Sequence, residues 1–303
     1  MPNRFTTLPH LPEMREEDAP ATIGRIYADI KRASGTSLVN LVYRHLATIP
    51  GGLEWVWGCI RMNWGYDGLL HAASAMPSTR IVIHLPIALW RTVGLSDQNL
   101  GEIRTLIDHY NLTNAANILG ATALSQVIRD PRRSSGDATL AWAEAPHRRL
   151  ATATPPVPKL DSLPPDVTEL LHFVNGLGED EQPAMVASLF RHLALWPGSL
   201  AVVAALLVPL SQSGELARLR RETTVVAEEL ADRMISMAEL NCPPPPKAAR
   251  ESILHILDLF RTTLIAKMLP VGQILSQALE PAWSRPATLI SSRLRSAVTS
   301  KQD

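Results

Sequence analysis

An all-α fold follows from three features of the chain. Apolar residues recur at steps of three and four, β-branched residues do not alternate with polar ones, and one phrase is written twice. That phrase, Arg-His-Leu-Ala-x-x-Pro-Gly-x-Leu-x-x-Val, runs from Arg44 to Val56 and again from Arg191 to Val203, each copy behind an aromatic residue, Tyr43 or Phe190. Repetition at about half the chain length predicts two helical repeats in tandem, packed as a pseudo-dimer, rather than a short-period solenoid. A small-molecule pocket is then expected between the copies, because clefts at domain interfaces are a favoured location.

The elements follow in order. Met1 to Pro20 carries prolines and the acids Glu13, Glu16, Glu17 and Asp18 where a secretory peptide needs an apolar run. Pro50-Gly51 ends one helix and begins another, since proline lacks a helical donor and disfavours helix at the preceding residue. Ile81 to Ile83, the one tight β-branched cluster, runs into Leu85 and Pro86 and does not read as a strand. Ser96-Asp97 supplies N-cap chemistry for a helix whose Ile103, Ile107, Tyr110 and Asn114 share a face. Asp130 to Pro165 is rich in proline, arginine and serine, a linker draped over the surface. Pro197-Gly198 repeats the corner, and the uncharged stretch Leu193 to Ser213 reads as a core helix. Leu216 to Leu240 is a long helix with Arg220, Arg221, Glu228 and Glu229 on its wetter sides. After the Pro243 to Pro246 run, Ile253, Ile256, Leu257, Phe260 and Leu264 form another apolar stripe. The divisions are therefore a first repeat over 1–129, a linker over 130–165, a second repeat over 166–283 and a weakly patterned tail over 284–303.

Composition narrows the function classes. At 303 residues, 46% apolar and 19% charged, the chain has the balance of a well-buried globule with room for two units of about 130 residues. Lys plus Arg equals Asp plus Glu at 29 each, so no net field draws it to nucleic acid or an anionic membrane. Prolines interrupt the longest uncharged stretch, which argues against a bilayer span, and a cytoplasmic address is expected. Cys59 and Cys242 lie far apart without CxxC spacing, so neither a zinc knuckle nor a dithiol site is encoded locally. The same gap weighs against a redox role. No phosphate loop, nucleophile elbow or metal-ligand spacing among the histidines appears, so no cofactor and no metal are expected.

Val39 to Gly51, the Asn111-x-x-Asn114 pair followed by Thr122-Ala123-Leu124-Ser125, and Leu193-Ala194-Leu195-Trp196-Pro197 together resemble the group I 2-haloacid dehalogenases. The resemblance keeps the same order over nearly the whole chain. It implies two helical repeats with an active site between them, and a hydrolysis without covalent intermediate: a carboxylate-activated water attacks C2 of a 2-halocarboxylate and expels halide. Asn114 matches the asparagine beside the family's base, Ser188 matches the serine preceding that base, and Leu189 falls where the family carries its aspartate. Leu38 and Leu41 take the family's aromatic pocket positions, which implies a more aliphatic cavity. Leucine takes no proton, and general-base catalysis contributes about 10² to 10⁴ in rate. Glu179, Asp180 and Glu181 lie more than two turns upstream and cannot simply replace it.

Other groups compete for roles. His192, four residues from Ser188 and three from Leu189, shares their helix face, where a neutral imidazole is a competent base. Its repeat mate His45 favours a packing role for both. Arg44 and Arg191 present planar forks that suit a carboxylate substrate, or close salt bridges near the corners. Asn114 is buried on its helix face and serves a site or an interhelical bond, with Asn111 a turn earlier. Trp55, Trp57 and Trp64 read as core. Two functions follow: a cofactor-free hydrolase of a small carboxylate with an altered site, in which Asn114 and His192 act and Ser188, Leu189, Leu38, Leu41 and Arg44 bind substrate; or a non-catalytic member of the fold that binds a small acid or a protein partner. Either is compatible with a homodimer.

Overall fold

The computed structural model describes residues 11–64, 68–133, 153–179, 183, 185–237 and 242–280, whose regular structure is helical with no strand. In chain order they form α1 (Ala21–Ser34), α2 (Leu41–Leu46), α3 (Gly52–Ile60), α4 (Leu69–Ser74), α5 (Ile87–Thr92), α6 (Asp97–Arg129), α7 (Pro165–Gly176), α8 (Ser188–Leu193), α9 (Pro197–Gln212), α10 (Glu215–Met237), α11 (Arg250–Leu259) and α12 (Ile265–Leu279). A π-helical turn, Phe260–Leu264, joins α11 to α12. The expected tail over 284–303 lies outside the described residues, as does most of the linker.

Helix α6 is the axle. Its 33 residues extend about 50 Å, and α4, α10, α11 and α12 pack along it. Ser96 opens it as expected: its hydroxyl accepts the Asn99 N–H, and the Asn99 side chain accepts the Ser96 N–H in return, a reciprocal cap. The helix is buried almost continuously from Ile103 onward, and its small residues Ala115, Ala116, Gly120, Ala121 and Ala123 let neighbours approach closely. Ile60 and Leu69 close over Gly120.

The two corners share a plan but not every detail. Helices α2 and α8 occupy equivalent positions of the repeated phrase and stop at the same leucine, Leu46 and Leu193. In the first copy Gly51 takes φ 72°, the left-handed region glycine tolerates, and α3 begins at the next residue. In the second copy Pro197 is already the first residue of α9, where its missing N–H costs nothing, so the corner falls earlier, at Ala194 to Trp196. Gly198 is required for a different reason: a Cβ there would run into the Val93 carbonyl oxygen.

The expectation of a core helix over Leu193 to Ser213 is corrected by this arrangement. Helix α9 meets α7, α8, α10 and α5 on one side only, so it buries Ser199, Leu200, Val202, Val203 and Leu207 and leaves Ala201 and Ala205 exposed. No single helix among the described residues is long and apolar enough to cross a membrane; α9 and the following helix pass that test together but are bent by 83°. The long helix expected from Leu216 is met by α10 as far as Met237, with 238–240 outside the described residues, and the apolar stripe after the proline run by α11, its π turn and α12.

The tryptophans are structural. Tyr43, Trp57 and Trp64 form an edge-on cluster with centroids 5.6 to 6.2 Å apart. Trp57 Nε1 donates to Asp29 at 2.8 Å, and Asp29 also accepts from both Nε and Nη2 of the buried Arg61. Trp55 Nε1 donates to the Pro243 carbonyl, tying α3 to the proline run. One turn beyond Trp55, Cys59 meets Cys242; both are buried and reduced.

Candidate functional site

The first turns of α2 and α8 face each other across α6. Asn40, Leu41 and Val42 from one, and the equivalent Ala187, Ser188 and Leu189 from the other, line a cavity of about 30 Å³. Tyr110, Asn114 and Asn117 of α6 form its wall, and Phe260, Leu264, Ile265 and Met268 close it from the π turn and the start of α12. π-helical turns are frequent at functional sites because they re-aim side chains within a helix. The volume admits about two waters, at ~10–15 Å³ of probe volume each.

Polar groups are set unevenly around this space. Asn114 makes no side-chain hydrogen bond among the described residues and lies against the cavity. Asn117 accepts from Tyr43 Oη at 2.7 Å, but its Nδ2 is buried without a partner. Asn40 is committed to Thr113 at 3.0 Å. Ser188 Oγ accepts from Arg44 Nη2 at 3.0 Å, and its hydroxyl also bonds that of Tyr110. Among the described residues no Asp, Glu or His lines the cavity.

Of the residues expected from sequence, the structure brings Asn114, Ser188, Leu189 and Leu41 to one cavity and sets the others apart. Leu189 is buried there, between Ser188 and the α6 wall. Leu38 is buried elsewhere, beside a surface groove with Arg15, Arg44 and Pro155, because it precedes the helical turn that carries Leu41 inward. Arg44 touches the cavity only through Ser188; its other donors go to Glu13 Oε2 at 2.9 Å and the Val39 carbonyl at 3.1 Å.

His192 stands outside the cavity lining and is fully buried. Its Nε2 is 2.9 Å from the Pro155 carbonyl, which only accepts, so that nitrogen carries the hydrogen; Nδ1 therefore accepts from Tyr110 Oη at 2.8 Å. Burial lowers its pKa to about 4, opposed by the Pro155 contact. The ring is a neutral connector with both nitrogens hydrogen-bonded. His45, its repeat mate, contacts the Pro12 carbonyl through Nδ1 instead, and burial lowers its pKa too.

The linker is more than a surface drape. Residues 153–164 run against the arginines and His192: Pro155, Val157 and Pro158 carbonyls accept from His192, Arg15 and Arg191. Asp180 and Glu181 lie outside the described residues. Glu179 is an ion-pair partner of Lys267 and Arg220 and does not reach the cavity. Burial lowers the Lys267 pKa against the pull of Glu179. Asn111 bonds Ser276 of α12 at 3.0 Å, an interhelical role. Among the described residues no group of three or more His, Cys, Asp or Glu is placed to hold a metal.

Asn117 on the cavity wall and Glu13 outside the cavity escaped the sequence reading. Asn117 sits three residues beyond Asn114 and seven beyond Tyr110, so helical spacing alone would have placed it on the same wall. Glu13, which holds both repeated arginines, carries no local signal of that role.

Solved structures share this architecture. The chain superposes on a D-2-haloacid dehalogenase mutant with TM-score 0.69 and 16% identity, covering 91% of this chain and 98% of that one. The chain has the D-2-haloacid dehalogenase fold. A mutant of a D-2-haloacid dehalogenase in complex with D-2-CPA matches at TM-score 0.66 and 18% identity over 90% and 97% of the two chains. A D-2-haloacid dehalogenase complex with L-LA matches at 0.66 and 18% over 91% and 98%. No family model and no curated protein sequence matches.

Proposed function

We propose that this chain binds a small carboxylate between two pseudo-equivalent helical halves and does not hydrolyse it by a general-base route. One observation carries the reading: Leu189, which the family resemblance puts at the base position, lines a cavity whose polar lining among the described residues is limited to amides and hydroxyls. Asn117 Nδ2 is a buried donor without a partner, which costs about 1–3 kcal/mol, and the Asn114 amide beside it makes no side-chain hydrogen bond among the described residues. An organic acid satisfies them. The fold neighbours complexed with D-2-CPA and L-LA support that ligand class. The equivalent turns Asn40 to Val42 and Ala187 to Leu189, facing one cavity, support the pseudo-dimer of a 1–129 repeat and a 166–283 repeat joined by 130–165.

The hydrolase reading needs a proton acceptor, and the nearest imidazole spends its lone pair on Tyr110. The test is halide release from both enantiomers of 2-chloropropionate, with binding followed by calorimetry. The native chain is expected to bind the acid, to lose affinity in Asn114→Leu and to release no halide above background; Leu189→Asp is the variant expected to release halide. Native turnover that disappears in Asn114→Ala would establish an enzyme and end this proposal.

A further inference from the structure

The two arginines of the repeated phrase converge on one carboxylate that belongs to neither repeat's helices. Arg44 Nε donates to Glu13 Oε2 at 2.9 Å, and Arg191 Nη1 donates to Glu13 Oε1 at 2.8 Å. Both guanidinium groups are about 95% buried, at 6% and 5% exposure, and Arg191 Nε has no partner. Two cations facing one anion leave the centre net positive. Burial alone raises the Glu13 pKa, but the two arginines outweigh it and hold the carboxyl below its ordinary range, so it stays charged.

Glu13 arrives on Leu11 to Ala19, a stretch without α-helix. Apart from Glu13, it is held by the Met14 N–H to the Arg44 carbonyl, Tyr27 Oη to the Met14 carbonyl, His45 to the Pro12 carbonyl, Arg15 to the Val157 carbonyl and Lys31 to Glu16. Beside it lies a groove of about 450 Å³ lined by Glu13, Arg191 and Leu41. Leu41 is also a wall of the inner cavity, and Arg44 reaches that cavity through Ser188. The arginine pair, the groove and the cavity are thus separated by single side chains.

We infer that Arg44 and Arg191 form a binding site for the carboxylate of a small organic acid, and that Glu13 occupies it as an internal stand-in. This rests on the reading that the chamber takes small acids, and it supplies the charged anchor that the inner cavity lacks. Exchange of one carboxylate for another never leaves the arginines unpaired, so the large penalty for stranding a buried charge is avoided. The internal carboxylate wins by effective concentration, of millimolar order for a short tether, and an external acid competes against that. Displacing Glu13 withdraws the segment that flanks Leu41 and widens the route to the inner cavity.

The experiment titrates propionate into the full chain and its variants, reading heat and thermal midpoint, with chloride at equal ionic strength as the blank. Glu13→Ala is expected to bind propionate at least about tenfold more tightly than the native chain, and Glu13→Ala/Arg191→Met is expected to lose that gain. Glu13→Gln, which keeps the volume but not the charge, should fall between; it carries the test if the alanine variant does not fold. Equal affinity in native and Glu13 variants overturns the inference, as does a gain that survives Arg191→Met. Adding Asn114→Leu separates the two readings: a Glu13→Ala gain that Asn114→Leu leaves intact keeps the arginine site and removes the inner cavity, whereas Asn114-dependent binding without any Glu13 effect does the reverse.

Discussion

Acidification should unfold this protein in a way that can be assigned to a single imidazole. His192 is fully buried and is neutral in its bonds to Pro155 and Tyr110. It titrates at about 4 in the folded chain and at about 6.5 when unfolded, and at ~1.4 kcal/mol per pH unit that gap is worth about 3 kcal/mol. Above pH 6.5 both states are neutral and the stability is fully present. Between pH 6.5 and 4 only the unfolded chain takes the proton, so stability falls with falling pH; below the folded value the loss is complete. With a urea m-value of ~3 kcal/mol/M, the midpoint should drop by about 1 M from this group alone. Burial also lowers the pKa of His45 and His109, which adds to the native slope. The comparator is His192→Gln, whose amide donates to Pro155 and accepts from Tyr110 without titrating. Urea midpoints measured from pH 7.5 to pH 4 should fall less steeply in the variant by that increment. Superimposable profiles, or a His192 ring resonance titrating near pH 6.5, would show that the burial argument is wrong.

Two further outcomes follow from buried groups away from the cavity. Asp29→Ala removes an acceptor shared by the buried Arg61 and Trp57 and leaves the Trp57 N–H without it, which should cost about 1–3 kcal/mol in chemical denaturation. Burial raises the Asp29 pKa, but the Trp57 and Arg61 bonds outweigh it and the net shift is downward. Its share of stability is therefore present above the unfolded carboxylate value and lost as pH falls through the folded one; a native chain no more acid-sensitive than Asp29→Asn would contradict this. Burial pushes the Cys59 thiol up, and neither it nor Cys242 is exposed. Iodoacetamide should label both slowly in the native chain and rapidly in denaturant, as read by intact mass, and fast native labelling would show that the proline run does not seal the α3 face.

The helical character of this chain was legible without coordinates, because it rests on local physics. Apolar spacing of three and four, the Ser96 cap and the proline corners act within a few residues, and α6, α10 and the two corners appear where those signals lie. The duplicated phrase placed α2 and α8 in register with each other. It also favoured a shared role for His45 and His192, and both contact proline carbonyls. Side-chain partnership was a different matter. Whether His192 is a base or a connector depends on Pro155, 37 residues away, and on Tyr110, 82 residues away. The destination of Arg44 and Arg191 was set by Glu13, whose surrounding sequence looked like an ordinary acidic leader. Buried polar groups are stabilised only by the particular atoms that meet them, so their chemistry belongs to the packed chain. Helix periodicity states which face is inward; only the tertiary structure states what that face finds there.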